Sequence, residues 1–125
     1  MVIALIFFAL TLINTVPINR VNFAPLNSVD GYVVFSDTGK IELSGTADAI
    51  WRLDNKNSWI YGYSGDSGIK CMSNLDNLSV QDCKTNDNFK FQLLGNKISS
   101  GDKCVVKQDN GILVLGNCAN ALVLI

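Results

Sequence analysis

The 125-residue chain contains no histidine. That absence removes Ser-His-Asp and Cys-His catalysis, and with them the commonest zinc ligand. No Cys-x-x-Cys pair exists either, so the close spacing that sets two zinc ligands on one turn is missing. Charge is sparse, at 17% of residues with a formal net charge of -1, and no long run of either sign occurs. The basic stripe of a nucleic-acid binder is therefore lacking. No clustered carboxylate pair and no activated nucleophile can be assembled. These gaps argue against an enzyme, a metal site, a cofactor and a nucleic-acid partner.

What is present is hydrophobic. Such residues make up 48% of the chain, enough for a packed core in one domain of this length. Val2 to Ile13 form an apolar run, with Thr11 its one polar residue. Crossing a bilayer takes about 20 residues in a helix, so this run is too short to span one and fits the core of a secretory signal peptide. We expect a signal peptide over residues 1–20, cut between Asn14 and Arg20, and a domain over 21–125. A membrane partner is expected only if this leader stays uncut. Four cysteines, all from Cys71 onward, agree with export.

The segment "KCVVKQDNGILVLGNC", Lys103 to Cys118, shows how the chain is organised. Two cysteines bracket an Asp-Asn-Gly turn and alternating aliphatic residues. Laid against itself, the chain contains this unit three times. The entry strands begin at Tyr32-Val33-Val34, Cys71-Met72-Ser73 and Cys104-Val105-Val106. Returning strands follow at Ile41-Glu42-Leu43, Leu78-Ser79-Val80 and Leu113-Val114-Leu115, and nearly equal gaps lead on to Trp51, Phe89 and Val123. A period in the mid-thirties of residues is a repeat signature. Alternation within each copy reads as strand, and nothing after the leader carries a helical period. Tyr32 and Thr46 stand where the other copies have cysteines. The repeat selects, from three conceivable pairings, Cys71 with Cys83 and Cys104 with Cys118. Ile41, Leu43, Trp51, Leu78, Val80, Phe89, Leu113, Leu115 and Val123 are the expected core.

Three copies of cysteine, turn, aliphatic pair, cysteine and aromatic resemble the ricin B-type lectins, whose repeats end in a Gln-x-Trp motif. The triplets Ala49-Ile50-Trp51, Asp87-Asn88-Phe89 and Ala121-Leu122-Val123 occupy that place, with Trp51 alone keeping the tryptophan and no copy keeping the glutamine. The resemblance covers residues 22–125. It implies an all-β fold, a β-trefoil of three repeats with pseudo-threefold symmetry, and a carbohydrate ligand.

In the family's galactose sites an Asp two residues after the first cysteine binds sugar hydroxyls. An aromatic before the second cysteine stacks on the ring, and an Asn before the final triplet adds hydrogen bonds. Here the Asp place holds Val34, Ser73 and Val106, no aromatic precedes the second cysteine, and the Asn place holds Asp48, Asn86 and Asn120. The usual galactose site is thus absent, and Ser73, Asn86 and Asn120 are its polar remnants. A separate candidate is "SWIYGYSGDSG", Ser58 to Gly68, where Trp59, Tyr61 and Tyr63 alternate before an acidic turn. Such rings either plug the barrel or stack on a sugar or peptide. Asn77-Leu78-Ser79 is an acceptor sequence for N-glycosylation. The leading expectation is a secreted lectin-like module facing an extracellular glycan or glycoprotein. A structural protein of a coat or wall, or a trefoil protease inhibitor, are the alternatives.

Overall fold

A computed structural model describes residues 17–125; the apolar run of the leader lies outside the described residues. The described chain is all-β. Its first sheet holds β1 (Asn27–Ser28), β2 (Gly31–Phe35) and β3 (Ile41–Ser44). The second holds β4 (Ile50–Asp54), β5 (Trp59–Tyr63), β6 (Lys70–Ser73) and β7 (Ser79–Gln81). The third holds β8 (Gln92–Leu94), β9 (Lys97–Ser100), β10 (Lys103–Lys107) and β11 (Leu113–Gly116). Neighbouring strands in all three sheets pair antiparallel, and single 3-10 turns occupy Asp87–Phe89 and Cys118–Asn120.

Three hairpins share one register. Leu43 faces Val33, Val80 faces Met72, and Leu115 faces Val105. These residues also join the hairpins in a cycle. The Leu43 amide donates to the Gly111 carbonyl at 2.9 Å, and the Val80 amide to the Gly39 carbonyl at 2.9 Å. The Leu115 amide donates to Asn77 Oδ1 at 2.7 Å. Gly39 and Gly111 have φ of 86° and 85°, a left-handed conformation that favours glycine; the third turn uses Asn77 at 74°. Because Asn77 accepts from the Leu115 amide and donates from Nδ2 to the Leu115 carbonyl at 3.4 Å, its amide acts as a short piece of strand. A glycan on that nitrogen would break the arrangement, which opposes use of the sequon.

A second cycle sits among the anchor residues. Trp51 donates its amide to the Ala24 carbonyl at 2.8 Å, Phe91 to Ser58 at 2.8 Å, and Leu124 to Asn96 at 2.8 Å. All three acceptors lie three residues before the strand residue opposite Tyr32, Cys71 or Cys104. The residues that match Trp51 are therefore Phe91 and Leu124, not Phe89 and Val123. The two 3-10 turns take up chain after the second cysteine and shift the frame. Val123 is consequently only half-buried, while Leu122 and Leu124 enter the core. Leu43 is also half-buried and packs on the core edge. The remaining expected core residues are buried, Trp51 at 1% exposure. Its indole donates to the Val33 carbonyl at 2.8 Å and its ring meets Phe35 edge-on at 5.4 Å.

The disulfides Cys71–Cys83 and Cys104–Cys118 are both formed, with Cα separations of 5.0 and 4.8 Å. The last residues meet the first sheet at β1: the Val29 amide donates to Val123 and the Ile125 amide to Asn27, each at 3.0 Å. Residues before position 21 belong to the fold as well. Ile18 is buried, and the Asn19 carbonyl accepts from the Leu53 amide at 2.9 Å.

Candidate functional site

Strand alternation in β5 sends Ile60 and Gly62 inward and leaves Trp59, Tyr61 and Tyr63 on the outer face. Trp59 and Tyr61 are half-buried and Tyr63 is 36% exposed, so the rings form part of the surface. Gly62 is fixed at its place by the neighbouring strand, because a Cβ there would overlap the Ile50 carbonyl. The close approach of β4 and β5 thus holds the rings on a stiff element.

Two further residues complete the surface. Phe23, on the segment that bridges to Trp51 through Ala24, meets Tyr61 at 5.3 Å and Tyr63 at 5.4 Å between centroids, both edge-on. Trp59 meets Tyr61 at 6.0 Å. Arg52, directly across the sheet from Tyr61, sets its guanidinium 5.8 Å from the centroids of both Phe23 and Tyr61, within cation–π range. Its Nε donates to the Arg20 carbonyl at 3.3 Å, and the Trp59 indole donates to the Lys84 carbonyl at 2.9 Å. These bonds hold Trp59 at one end of the strip and Arg52 beside its middle. The outward alternation of β4 marks Arg52 as a surface residue, but nothing in the sequence places Phe23 beside Tyr61.

The acidic turn after Tyr63 goes elsewhere. Ser64 and Ser67 line a hollow of about 470 Å³ together with Asp37, Lys70, Gln81 and Asp82, and none of the strip aromatics reaches it. Lys70 and Asp82 pair there at 2.7 Å. The hydrogen bond from Lys70, reinforced by its charge, holds the Asp82 carboxyl below its ordinary value.

The remnant galactose positions do not converge on a pocket. Ser73 is 0% exposed and its Oγ accepts from the Leu75 amide at 3.0 Å, so the hydroxyl is buried and engaged in the turn that follows β6. Asn86 is exposed, but its side chain caps the first 3-10 turn by accepting from the Asn88 amide. Asn120 lies exposed at the end of the second 3-10 turn, which is capped by Asn117. Val34 is buried, and the Asp48 carboxylate accepts from Thr46 at 2.7 Å. No family model, curated protein or solved structure matches the chain.

Proposed function

We propose that the chain is a secreted, non-catalytic binding module of β-trefoil architecture, and that the strip of Phe23, Trp59, Tyr61, Tyr63 and Arg52 holds an extracellular glycan. The trefoil reading is supported by the shared register of the three hairpins and by the two cycles of hydrogen bonds, one between the hairpins and one among the anchor residues. Export is supported by two disulfides in so small a domain. The observation that carries the ligand assignment is the set of aromatic rings kept at the surface of a rigid strand, where burial would have been the more favourable fate of such side chains. From Trp59 to Tyr63 the strip runs about 13 Å, longer than one sugar ring, so an oligosaccharide suits it better than a monosaccharide. Ring faces stack on the C–H face of sugars, and the guanidinium of Arg52 offers donors to their hydroxyls.

Galactose bound in the ricin manner is not the ligand of this reading, since Ser73 is sealed and Val34 and Val106 cannot accept hydrogen bonds. A glycan array probed with the wild-type chain and with Tyr61→Ala tests the assignment. Retention of an oligosaccharide that falls about tenfold or more in the variant is the expected outcome. Retention unaltered by Tyr61→Ala and Trp59→Ala, or no glycan retained at all, removes the reading.

A further inference from the structure

A second hollow of about 470 Å³ lies between the second and third sheets, away from the aromatic strip. Ser58, Asn74, Gln92, Ser99, Ser100 and Gly101 line it. We propose that this hollow is a separate binding site for a neutral, polyhydroxylated ring of monosaccharide size. Its volume falls in the range of small-ligand pockets.

The argument starts from Ser99. It sits in β9 between Gln92 and Cys104, it is 0% exposed, and its hydroxyl has no hydrogen-bond partner. Buried hydroxyls are nearly always paired, and one left alone is unfavourable. A ligand hydroxyl both donates and accepts, so it can satisfy Ser99 in either direction. Part of the lining that Ser99 shares is weakly held. The Asn74 Nδ2 to Ser100 Oγ contact is 3.5 Å, at the outer limit of a hydrogen bond, and the Gln92 residue is exposed. Parting that contact frees an amide and a hydroxyl in the same lining for a ligand that pairs with Ser99.

Charge selects against ions. Asp87 and Lys90, the charged residues of the lining, pair with each other at 3.1 Å and cancel. The frame around the opening is firm by contrast. Ser58 adopts φ of 58°, unusual for a residue other than glycine, and its carbonyl is tied to the Phe91 amide at 2.8 Å. A hollow with a firm frame, one loose contact and an unpaired hydroxyl among its lining residues suits a ligand that brings its own hydroxyls.

Amide chemical shifts of the 15N-labelled chain, recorded while methyl α-mannoside, glucose and N-acetylglucosamine are added in turn, test the proposal. Saturable shifts at Asn74, Gln92, Ser100 and Gly101 with at least one of the three are expected. Ser99→Ala should weaken that binding about tenfold while leaving the rest of the spectrum in place, and Tyr63→Ala, at the far end of the strip, should leave it unchanged. The proposal fails if none of the three sugars moves these amides, or if Ser99→Ala binds as the wild type does. It fails equally if the shifts are confined to β5, or if inorganic phosphate produces them and the sugars do not. Because Tyr63 is exposed on the strip and lines no part of the hollow, loss of the glycan reading and loss of this one remain separable.

Discussion

The hairpin of β2 and β3 has no disulfide, whereas the hairpins at Cys71–Cys83 and Cys104–Cys118 do. Tyr32 stands opposite Ser44 where the others place their first cysteine. Beyond Ser44, the Thr46 amide donates to Ser44 Oγ at 3.1 Å and the Thr46 hydroxyl to Asp48 at 2.7 Å. Those bonds are local and shape the corner without tying strand to strand. The long-range tie of this sector comes from Trp51, whose indole reaches the Val33 carbonyl and whose ring packs on Phe35. One part of the molecule is held by packing and the other by covalent bonds, within the same register.

The largest test of that contrast is Trp51→Ala, which should cost about 3–5 kcal/mol, seen as a lower urea midpoint under oxidising conditions. An unchanged midpoint would show that the unbridged sector is held by something else. Replacing Cys104 and Cys118 together by alanine should cost about 3 kcal/mol, the chain-entropy value for a loop of this size. If the double variant unfolded with wild-type midpoint, the covalent half of the comparison would be empty. Asn77→Ala should cost about 1–3 kcal/mol, because it leaves the Leu115 amide without its acceptor; calorimetry of the variant against Thr46→Ala, whose bonds are local, ranks the two kinds of tie.

The smallest effect concerns pH. Lys70 and Asp82 immediately precede Cys71 and Cys83, so their ion pair spans the same gap as the bridge; in the third sector these places hold Lys103 and Asn117. Asp82 has its folded pKa lowered from 3.8. A lowered carboxyl pKa contributes stability above the unfolded value, and that contribution disappears as pH falls through the folded value. The difference in melting temperature between wild type and Lys70→Met should therefore be small and flat from neutral pH to about 4 and vanish below it. A difference that grew on acidification would contradict the pair.

Strands, hairpin register and both disulfides were legible because alternation and recurrence fix them locally. What followed the second cysteines was not. A single 3-10 turn has no periodic mark, so Phe89 and Val123 were read for Phe91 and Leu124. Ser73 looked available because it is polar, yet β6 is buried on successive residues and alternation does not describe it. For the candidate strip, Trp59, Tyr61 and Tyr63 were visible from spacing along one strand. Phe23 and Arg52 join them only through pairings across the sheet and from a segment far earlier in the chain. Ser99 carried no signal, since an unpaired hydroxyl is a property of its surroundings.

The cycle running through Gly39, Asn77 and Gly111 also bears on how the protein is made. While it is being synthesised, the first hairpin offers the Gly39 carbonyl to a second hairpin, but its own Leu43 amide must wait for Gly111. Closure waits longer still, because Val29 and Asn27 bond to Val123 and Ile125. An emerging chain therefore carries open strand edges until its last sheet has appeared, and such edges are sites of wrong pairing with neighbouring chains. The hairpin turns should accordingly resist insertion, and attachment of a tag or fusion partner is better made in the exposed turn Gly65 to Gly68, which takes no part in either cycle.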